Sequence, residues 1–121
     1  MRKSDWEWFG HAGHLIVGNL CRFHLCTRVG RFLVSTVGDY YPSGSEKRET
    51  VGGEKDSYFE TYVFVLETPL GICTSTGCGC GMPRPKSWVE IYGIRYRTAG
   101  EAKIGHMKTC AKFSRRKMPD G

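Results

Sequence analysis

Five potential metal ligands in the second half of the chain constrain its fold more than any other sequence feature. Three cysteines fall within residues 73–80, where alternate glycines let the backbone wrap closely around an ion. A histidine and a cysteine follow four residues apart, a spacing that places both on one face of a helix. Structural zinc sites use four Cys or His ligands in a tetrahedron. We therefore predict one structural zinc ion, with these candidate ligands: Cys73, Cys78, Cys80, His106 and Cys110.

Five candidates compete for four positions. One residue separates Cys78 from Cys80, which is tighter than the usual gap of about two to four residues. That spacing favours a set of Cys73, one member of the tight pair, His106 and Cys110. The alternative is that the cysteines are small buried hydrophobes and His106 a surface residue.

The N-terminal sequence bears on the state of these thiols. The basic start at residues 1–3 is not followed by an apolar run, and Leu15-Ile16-Val17 is too short for a secretory signal or a membrane span. We expect a cytoplasmic protein that does not enter a membrane. Thiols stay reduced in that compartment, where clustered cysteines bind metal more often than they form disulfides.

Strand signals dominate the first two thirds of the chain. Residues 20–28 and 31–37 predict a hairpin with its turn at Val29-Gly30, and residues 58–67 form the clearest strand. Residues 87–97 predict a last strand. A further short strand is expected at 14–18, and a long surface loop at 38–57.

The C-terminal part carries one helix signal. Thr98 and Glu101 fit a capping box, which predicts a helix from about residue 99 to about residue 113. The expected fold is therefore α+β: an antiparallel sheet of four or five strands with one C-terminal helix, stapled by zinc. No repeat or linker divides the chain, so residues 1–121 are expected to form a single domain, with its zinc-containing part at about 71–121.

Positive charge concentrates in the same part of the chain as the metal candidates. Residues 71–121 hold ten Lys/Arg and three Asp/Glu, a net of +7, whereas residues 1–70 hold eight and nine, a net of −1. A basic end favours an acidic partner, either nucleic acid or a protein, although a solvated face would look the same. Tyr92 and Tyr96 offer stacking surface for bases. The expected contact residues are Arg95, Arg97, Lys108, Lys112, Arg115, Arg116 and Lys117.

A second group of histidines lies near the N-terminus. His11, His14 and His24, with Glu60 on the clearest strand, have the side chains of a catalytic metal site or an acid–base site. These residues match no motif of known mechanism, and a histidine on a strand is more often a structural residue. The group nevertheless defines an enzymatic alternative.

Several segments together resemble a family of small proteins encoded by phages and prophages. They are Trp8-Phe-Gly-His-Ala-Gly-His14, Cys21-Arg-Phe-His24, Leu33-Val-Ser-Thr-Val-Gly38 with Tyr41-Pro42, Phe59-Glu-Thr-Tyr-Val-Phe64, Cys78-Gly-Cys-Gly81 and Gly105-His-Met-Lys-Thr-Cys110. The resemblance covers most of the chain, although the loop at 43–57 is shorter than in the family. It implies a phage-encoded accessory protein acting in a bacterial cytoplasm, and it implies no biochemical activity.

Three functions are compatible with these features. The first is a non-enzymatic, zinc-stapled binding module that acts on a host protein or on nucleic acid, as a host-takeover or anti-defence factor would. The second is a small metal-dependent hydrolase or nuclease that uses the N-terminal histidines. The third is a component of the virion or of its assembly, which only the phage resemblance favours. The first is the main prediction because the basic end and the metal candidates coincide.

Overall fold

A computed structural model describes residues 5–9, 21–42, 47–51, 55–66, 86 and 89–116 of the chain. They form one antiparallel sheet of five strands, in which each strand pairs with its neighbours in sequence, followed by one helix. This confirms the predicted α+β class. The elements are β1 (Glu7–Phe9), β2 (Cys21–Val29), β3 (Phe32–Tyr40), β4 (Phe59–Val65), β5 (Tyr92–Tyr96) and α1 (Ala99–Ser114).

The β2–β3 hairpin is the longest strand pair of the sheet. Val29 pairs with Phe32, so the turn consists of Gly30 and Arg31 alone. Gly30 has a φ of 62°, a left-handed conformation that a side chain would disfavour. Glycine at the first position of a two-residue turn matches the right-handed twist of the strands that it joins. The predicted hairpin is confirmed, but its turn lies one residue later than the predicted Val29-Gly30, because Val29 is the last residue of β2.

The helix packs on one face of the sheet and creates the main apolar core. Strand register places Thr27, Val34 and Val63 in one row on this face, because directly paired residues share a face. The core contains Val29, Phe32, Val34 and Val63 from the sheet, with Cys110 and Phe113 from the helix.

The opposite face, called the far face below, is buried as well. Its core cluster consists of Cys26, Leu33, Phe64 and Leu66, each at most 1% exposed. A sheet that is buried on both faces has near-continuous apolar strands, and β3 shows this, since its residues from Phe32 to Gly38 are all buried.

The N-terminus of α1 follows the predicted capping box. The backbone N–H of Glu101 donates to the Thr98 hydroxyl at 3.2 Å, and that hydroxyl donates to the Glu101 carboxylate at 3.1 Å. The helix ends at Ser114, one residue beyond the prediction. Its buried side chains are Ala102, His106, Thr109, Cys110 and Phe113.

Three segments differ from the prediction. The predicted loop at 38–57 is partly ordered, because β3 continues to Tyr40, Tyr40 bridges to Glu49, and Val51 is 2% exposed. The last strand is shorter than the predicted 87–97. A fifth strand is present because residues 7–9 pair with β2. The expected strand at 14–18 lies outside the described residues.

Candidate functional site

His106 and Cys110 occupy the buried face of α1, as their four-residue spacing predicts. Both are 0% exposed. The face that they share is turned toward β2 and β3, since His106 contacts threonines on both strands. The expectation that the two residues share one helix face is therefore correct, and His106 is not a surface residue.

Two threonine hydroxyls engage both ring nitrogens of His106. Nε2 lies 2.8 Å from the Thr27 hydroxyl, and Nδ1 lies 2.7 Å from the Thr36 hydroxyl. A neutral imidazole has one donor and one acceptor nitrogen, and a hydroxyl fills either role. The buried ring is thus fully hydrogen-bonded.

The hydrogen bonds continue beyond His106 as a buried chain across the sheet. The Thr36 and Thr61 hydroxyls are 2.5 Å apart, and the Thr61 hydroxyl lies 3.0 Å from that of Tyr96. The three threonines are 0% exposed and Tyr96 is 8% exposed. We call Thr27, His106, Thr36, Thr61 and Tyr96 the hydroxyl chain. It satisfies polar groups that would otherwise destabilise the core.

Burial sets the protonation states in this region. Desolvation lowers the pKa of His106 from 6.5 to about 4, so the ring is neutral at pH 7. Desolvation raises the pKa of Cys110 to about 12, and a hydrogen bond with Thr27 opposes that shift. Both groups are therefore uncharged under physiological conditions.

These contacts constrain how His106 would ligate zinc. A zinc ligand uses the lone pair of one ring nitrogen, and here each nitrogen already has a hydroxyl partner. Ligation would require the ring to leave Thr27 or Thr36, so the described arrangement does not fit a metal ion without rearrangement. No group of three potential ligands occurs among the described residues. Cys73, Cys78 and Cys80 lie outside them, and the zinc site remains a prediction.

Of the N-terminal histidine group, the structure describes His24 and Glu60. They lie in one row of the far face, with Val37 between them on β3. Two strand spacings separate their backbones, about 10 Å. In the described part of the chain, the His24 Nδ1 atom is buried and has no hydrogen-bond partner. His11 and His14 lie outside the described residues.

Glu60 is the most perturbed acid of the described structure. It is 7% exposed, and desolvation raises its pKa, whereas a hydrogen bond from Tyr62 and the Arg95 charge lower it. The Arg95 Nε atom lies 3.6 Å from the carboxylate. Tyr62 and Arg95 line a depression of about 410 Å³ on the edge of the sheet, together with Glu90 and Gly93. A buried acid beside a depression is a candidate binding group.

The described cysteines on β2 do not have the character of nucleophiles. Desolvation raises the pKa of Cys21 to about 11, with smaller contributions from Glu60 and Asp39. Desolvation raises that of Cys26 to about 12. The thiolate is the reactive form of cysteine, so neither thiol is activated.

The predicted cationic residues occupy β5 and α1, but not all are available to a partner. Arg95 pairs with Glu60, and Arg97 lies 3.9 Å from Asp56. The helix cations are exposed, and in the described part of the chain none of them pairs with a carboxylate. They are Lys103, Lys108, Lys112, Arg115 and Arg116. Lys117 lies outside the described residues.

The two tyrosines expected to stack on bases are largely engaged. Tyr96 is buried in the hydroxyl chain, and its ring packs against Gly105 so closely that a Cβ atom there would lie 2.2 Å from it. The Lys112 ammonium lies 4.3 Å above the Tyr92 ring, whose edge meets Phe113. Tyr96 is therefore not available for base stacking, and Lys112 covers one face of the Tyr92 ring.

Sequence analysis did not identify the exposed apolar residues near β5. Of the five large hydrophobic side chains exposed among the described residues, four lie on β5, just before it or on α1. They are Val89 (72%), Ile91 (45%), Ile94 (41%) and Ile104 (60%). The fifth, Trp8, has its ring 5.5 Å from that of His106. The residues at 87–97 predicted a strand, but they did not show that the strand lies at an edge.

The two edges of the sheet differ in length and in protection. β1 has three residues, and Glu7 on it forms a short salt bridge with Arg28 of β2. β5 has five residues, and Gly93, Ile94 and Arg95 at its centre are exposed. In the described part of the chain, no strand pairs with the outer edge of β5. Short, charged edges resist pairing with other strands, and longer apolar edges favour it.

Comparisons of this chain with protein-family models, curated proteins and solved structures found no match. Within the described residues, no helix combines the length and apolar character that crossing a membrane requires.

Proposed function

We propose that this protein is a non-enzymatic binding module that docks an acidic protein through β5 and α1. We define the β5–α1 surface as Val89, Ile91, Ile94 and Ile104 together with the exposed cations Lys108 and Lys112. The observation that carries the proposal is that four of the five exposed large apolar side chains among the described residues lie on β5, just before it or on α1. Such a concentration, rimmed by charge, is typical of protein interaction sites.

Charge supports an acidic partner. Residues 89–116 hold seven Lys/Arg and two Asp/Glu, a net of +5. The helix cations have no carboxylate partner among the described residues, so no described carboxylate neutralises their positive charge. Complementary charge accelerates association and disfavours partners of the same sign.

The exposed groups favour a protein over nucleic acid. Phosphate contacts need cations, which are present, but sequence-tolerant binding of single strands also uses open aromatic faces. Tyr96 is buried and Tyr92 lies beneath Lys112. The exposed isoleucines have no counterpart in a polyphosphate backbone, whereas they complement an apolar protein surface.

The resemblance to phage and prophage proteins suggests where such a partner would be found. A small binding module encoded by a phage would act on a host protein in the bacterial cytoplasm, as a host-takeover or anti-defence factor does.

The proposal is tested by affinity capture from bacterial lysate with and without nuclease. The variant Lys108→Glu/Lys112→Glu reverses two charges of the β5–α1 surface, and Lys108→Arg/Lys112→Arg keeps them. We expect the native protein to retain one partner regardless of nuclease. The arginine variant should retain it, and the glutamate variant should lose it. The recovered partner should bind the native protein directly, more weakly at high salt.

Two results would contradict this proposal. If nuclease abolishes capture, the ligand is nucleic acid. If the charge-reversed variant captures the partner as well as the native protein does, the binding surface lies elsewhere. The folding of both variants is compared by thermal unfolding, because substitutions at exposed positions should change stability little.

We also propose that zinc supports the fold through Cys73, one of Cys78 and Cys80, Cys110 and, after the rearrangement described above, His106. Elemental analysis of the purified protein tests this, with Cys73→Ser as the variant and Cys21→Ser as the control. One zinc per chain, lost only in Cys73→Ser, is the expected result. A metal-free native protein would show that these cysteines are not ligands.

The positions of Glu60 and His24 support a test of the hydrolase alternative. Glu60 has a raised pKa, and the unpartnered His24 nitrogen lies in the same row of the far face. A metal-dependent hydrolase built on these residues would cleave DNA, RNA or nucleotides in the metal-loaded state and would lose activity in Glu60→Gln. We expect no cleavage by the native protein.

A further inference from the structure

We infer that the acidic partner contributes an extended segment, which adds to the sheet as a sixth strand beside β5. This inference rests on the proposed function and specifies the kind of partner. It identifies that partner as a segment that alternates apolar and acidic residues.

The first argument is the state of the β5 edge. Every second residue of an edge strand points its N–H and C=O away from the sheet. The order of the sheet leaves β5 without an outer neighbour among the described residues, and its centre is exposed. The preceding chain also follows β4, because the Ile91 N–H donates to the Val63 carbonyl at 2.8 Å. An edge of this kind is a template for an incoming strand.

The second argument is the order of side chains along that edge. Tyr92 and Ile94 belong to the face that carries α1, because they pair in register with Val63 and Thr61. Arg95 belongs to the far face, where it reaches Glu60 and Tyr62. Neighbours on adjacent strands interact when they share a face. A partner residue beside Ile94 should therefore be apolar, and the next one, beside Arg95, should be acidic, so that Arg95 is shared between Glu60 and the partner's carboxylate.

The third argument comes from the space around Gly93. A Cβ atom on Gly93 would lie 2.8 Å from the Tyr62 ring, so this ring lies across the strand at that position. The depression of about 410 Å³ lies beside it, with Tyr62 and Arg95 in its wall. A far-face side chain of the incoming strand would enter this space.

Charge distinguishes this partner from a second copy of the chain. Two β5 strands would bring two basic segments together, each with a net of +5 over residues 89–116. Like charges at an interface oppose association. An acidic segment neutralises the same field, so we assign the edge to a different protein.

The test uses a synthetic peptide of about ten residues that alternates valine and glutamate, long enough to span β5. Two further peptides are N-methylated, one at its valines and the other at its glutamates. The two sets of N–H groups point to opposite edges of an extended strand, so only one set can face β5. A peptide of the same composition with its valines and glutamates in separate blocks is the control.

Affinity is measured by isothermal titration, and hydrogen exchange monitors the β5 amides. We expect the alternating peptide to bind and to protect β5 amides. One N-methylated peptide should bind at least about tenfold more weakly, and the other should bind within about twofold of the unmodified peptide. The block peptide should bind more weakly than the alternating one.

Each other outcome overturns a defined part of the inference. Equal binding of both N-methylated peptides would exclude strand addition while leaving an acidic partner for the β5–α1 surface. Failure of every acidic peptide to bind at low salt would count against the proposed function as well. Protection of β5 amides that rises with protein concentration, without peptide, would assign the edge to a second copy of the chain.

Discussion

Beneath α1, polar side chains are buried and hydrogen-bonded, whereas at the β5 edge apolar side chains are exposed. His106 and the threonines around it are 0% exposed and fully partnered, and Ile94, on the same face of the sheet, is 41% exposed. Both kinds of residue occur on β5, since Ile94 is exposed, whereas Tyr96 at the end of the strand belongs to the hydroxyl chain. The difference separates residues that hold the fold from residues available to a partner.

This contrast makes stability and binding separable by mutation. Substitutions in the hydroxyl chain should reduce the free energy of unfolding because they leave buried groups without partners. Substitutions at the exposed position Ile94 of β5 should change that free energy little and reduce binding.

The largest effect is expected for His106→Ala. It creates a cavity and leaves the Thr27 and Thr36 hydroxyls without their His106 partner, so we expect a loss of about 4 kcal/mol. Denaturant unfolding measures it, with His24→Ala on the far face as the control, which should cost about 1 kcal/mol. Similar losses in both variants would show that the hydroxyl chain does not stabilise the core.

A pH titration tests the same histidine without mutating its neighbours. The unfolded chain protonates this ring near pH 6.5, whereas the folded chain does so only near pH 4. The unfolded state therefore binds more protons between these values, and stability falls as pH decreases through this window, by about 3 kcal/mol in total. Glu60 opposes this trend, because its raised pKa favours the folded state in acid.

The titration is followed by denaturant unfolding with a chelator present, in the Glu60→Gln background, to isolate the histidine. The decline between pH 6.5 and 4 should disappear when His106 is also replaced by alanine. A decline that persists in that variant would assign it to other groups.

An intermediate effect is expected where α1 approaches Tyr96. A Cβ atom on Gly105 would lie 2.2 Å from the Tyr96 ring, so Gly105→Ala should cost about 2 kcal/mol by overpacking. Gly100, in the first turn of the same helix, has nothing within 4 Å of its Cβ position. Gly100→Ala should therefore raise stability slightly because alanine favours the helix. Thermal unfolding of the two variants should give shifts of opposite sign.

The smallest effect on stability is expected at the edge itself. Ile94→Thr keeps a β-branched residue at an exposed position and should change stability by no more than about 0.5 kcal/mol. Val34→Thr places a similar hydroxyl in the core and should cost about 2 kcal/mol. Titration with the alternating valine–glutamate peptide should show weaker binding to Ile94→Thr. Equal destabilisation of both variants would mean that Ile94 is part of the core.

Local signals predicted much of the fold. The turn at Gly30 and the capping box at Thr98 and Glu101 depend on adjacent residues, and both are present. The shared face of His106 and Cys110 follows from helix geometry alone. These features need no knowledge of how distant segments pair.

The remaining features depend on strand register and on sheet order. Thr27, Thr36 and Thr61 meet His106 only because three strands align them beneath one helix position. The sequence places each threonine in a strand but does not align them. Likewise, the sequence places Ile94 in a strand, but its exposure follows from the position of β5 at the end of the described sheet.

The two-residue turn at Gly30 and Arg31 also bears on the order in which the molecule forms. Val29 and Phe32 are three residues apart, so the longest strand pair closes with little loss of chain entropy. Isolated hairpins form in about 1–10 microseconds. We expect β2 and β3 to form the folding nucleus, to which β4 and then β5 and α1 are added. Among the described residues, β5 is the last strand to join this side of the sheet, and a partner strand would add to the sheet in the same direction.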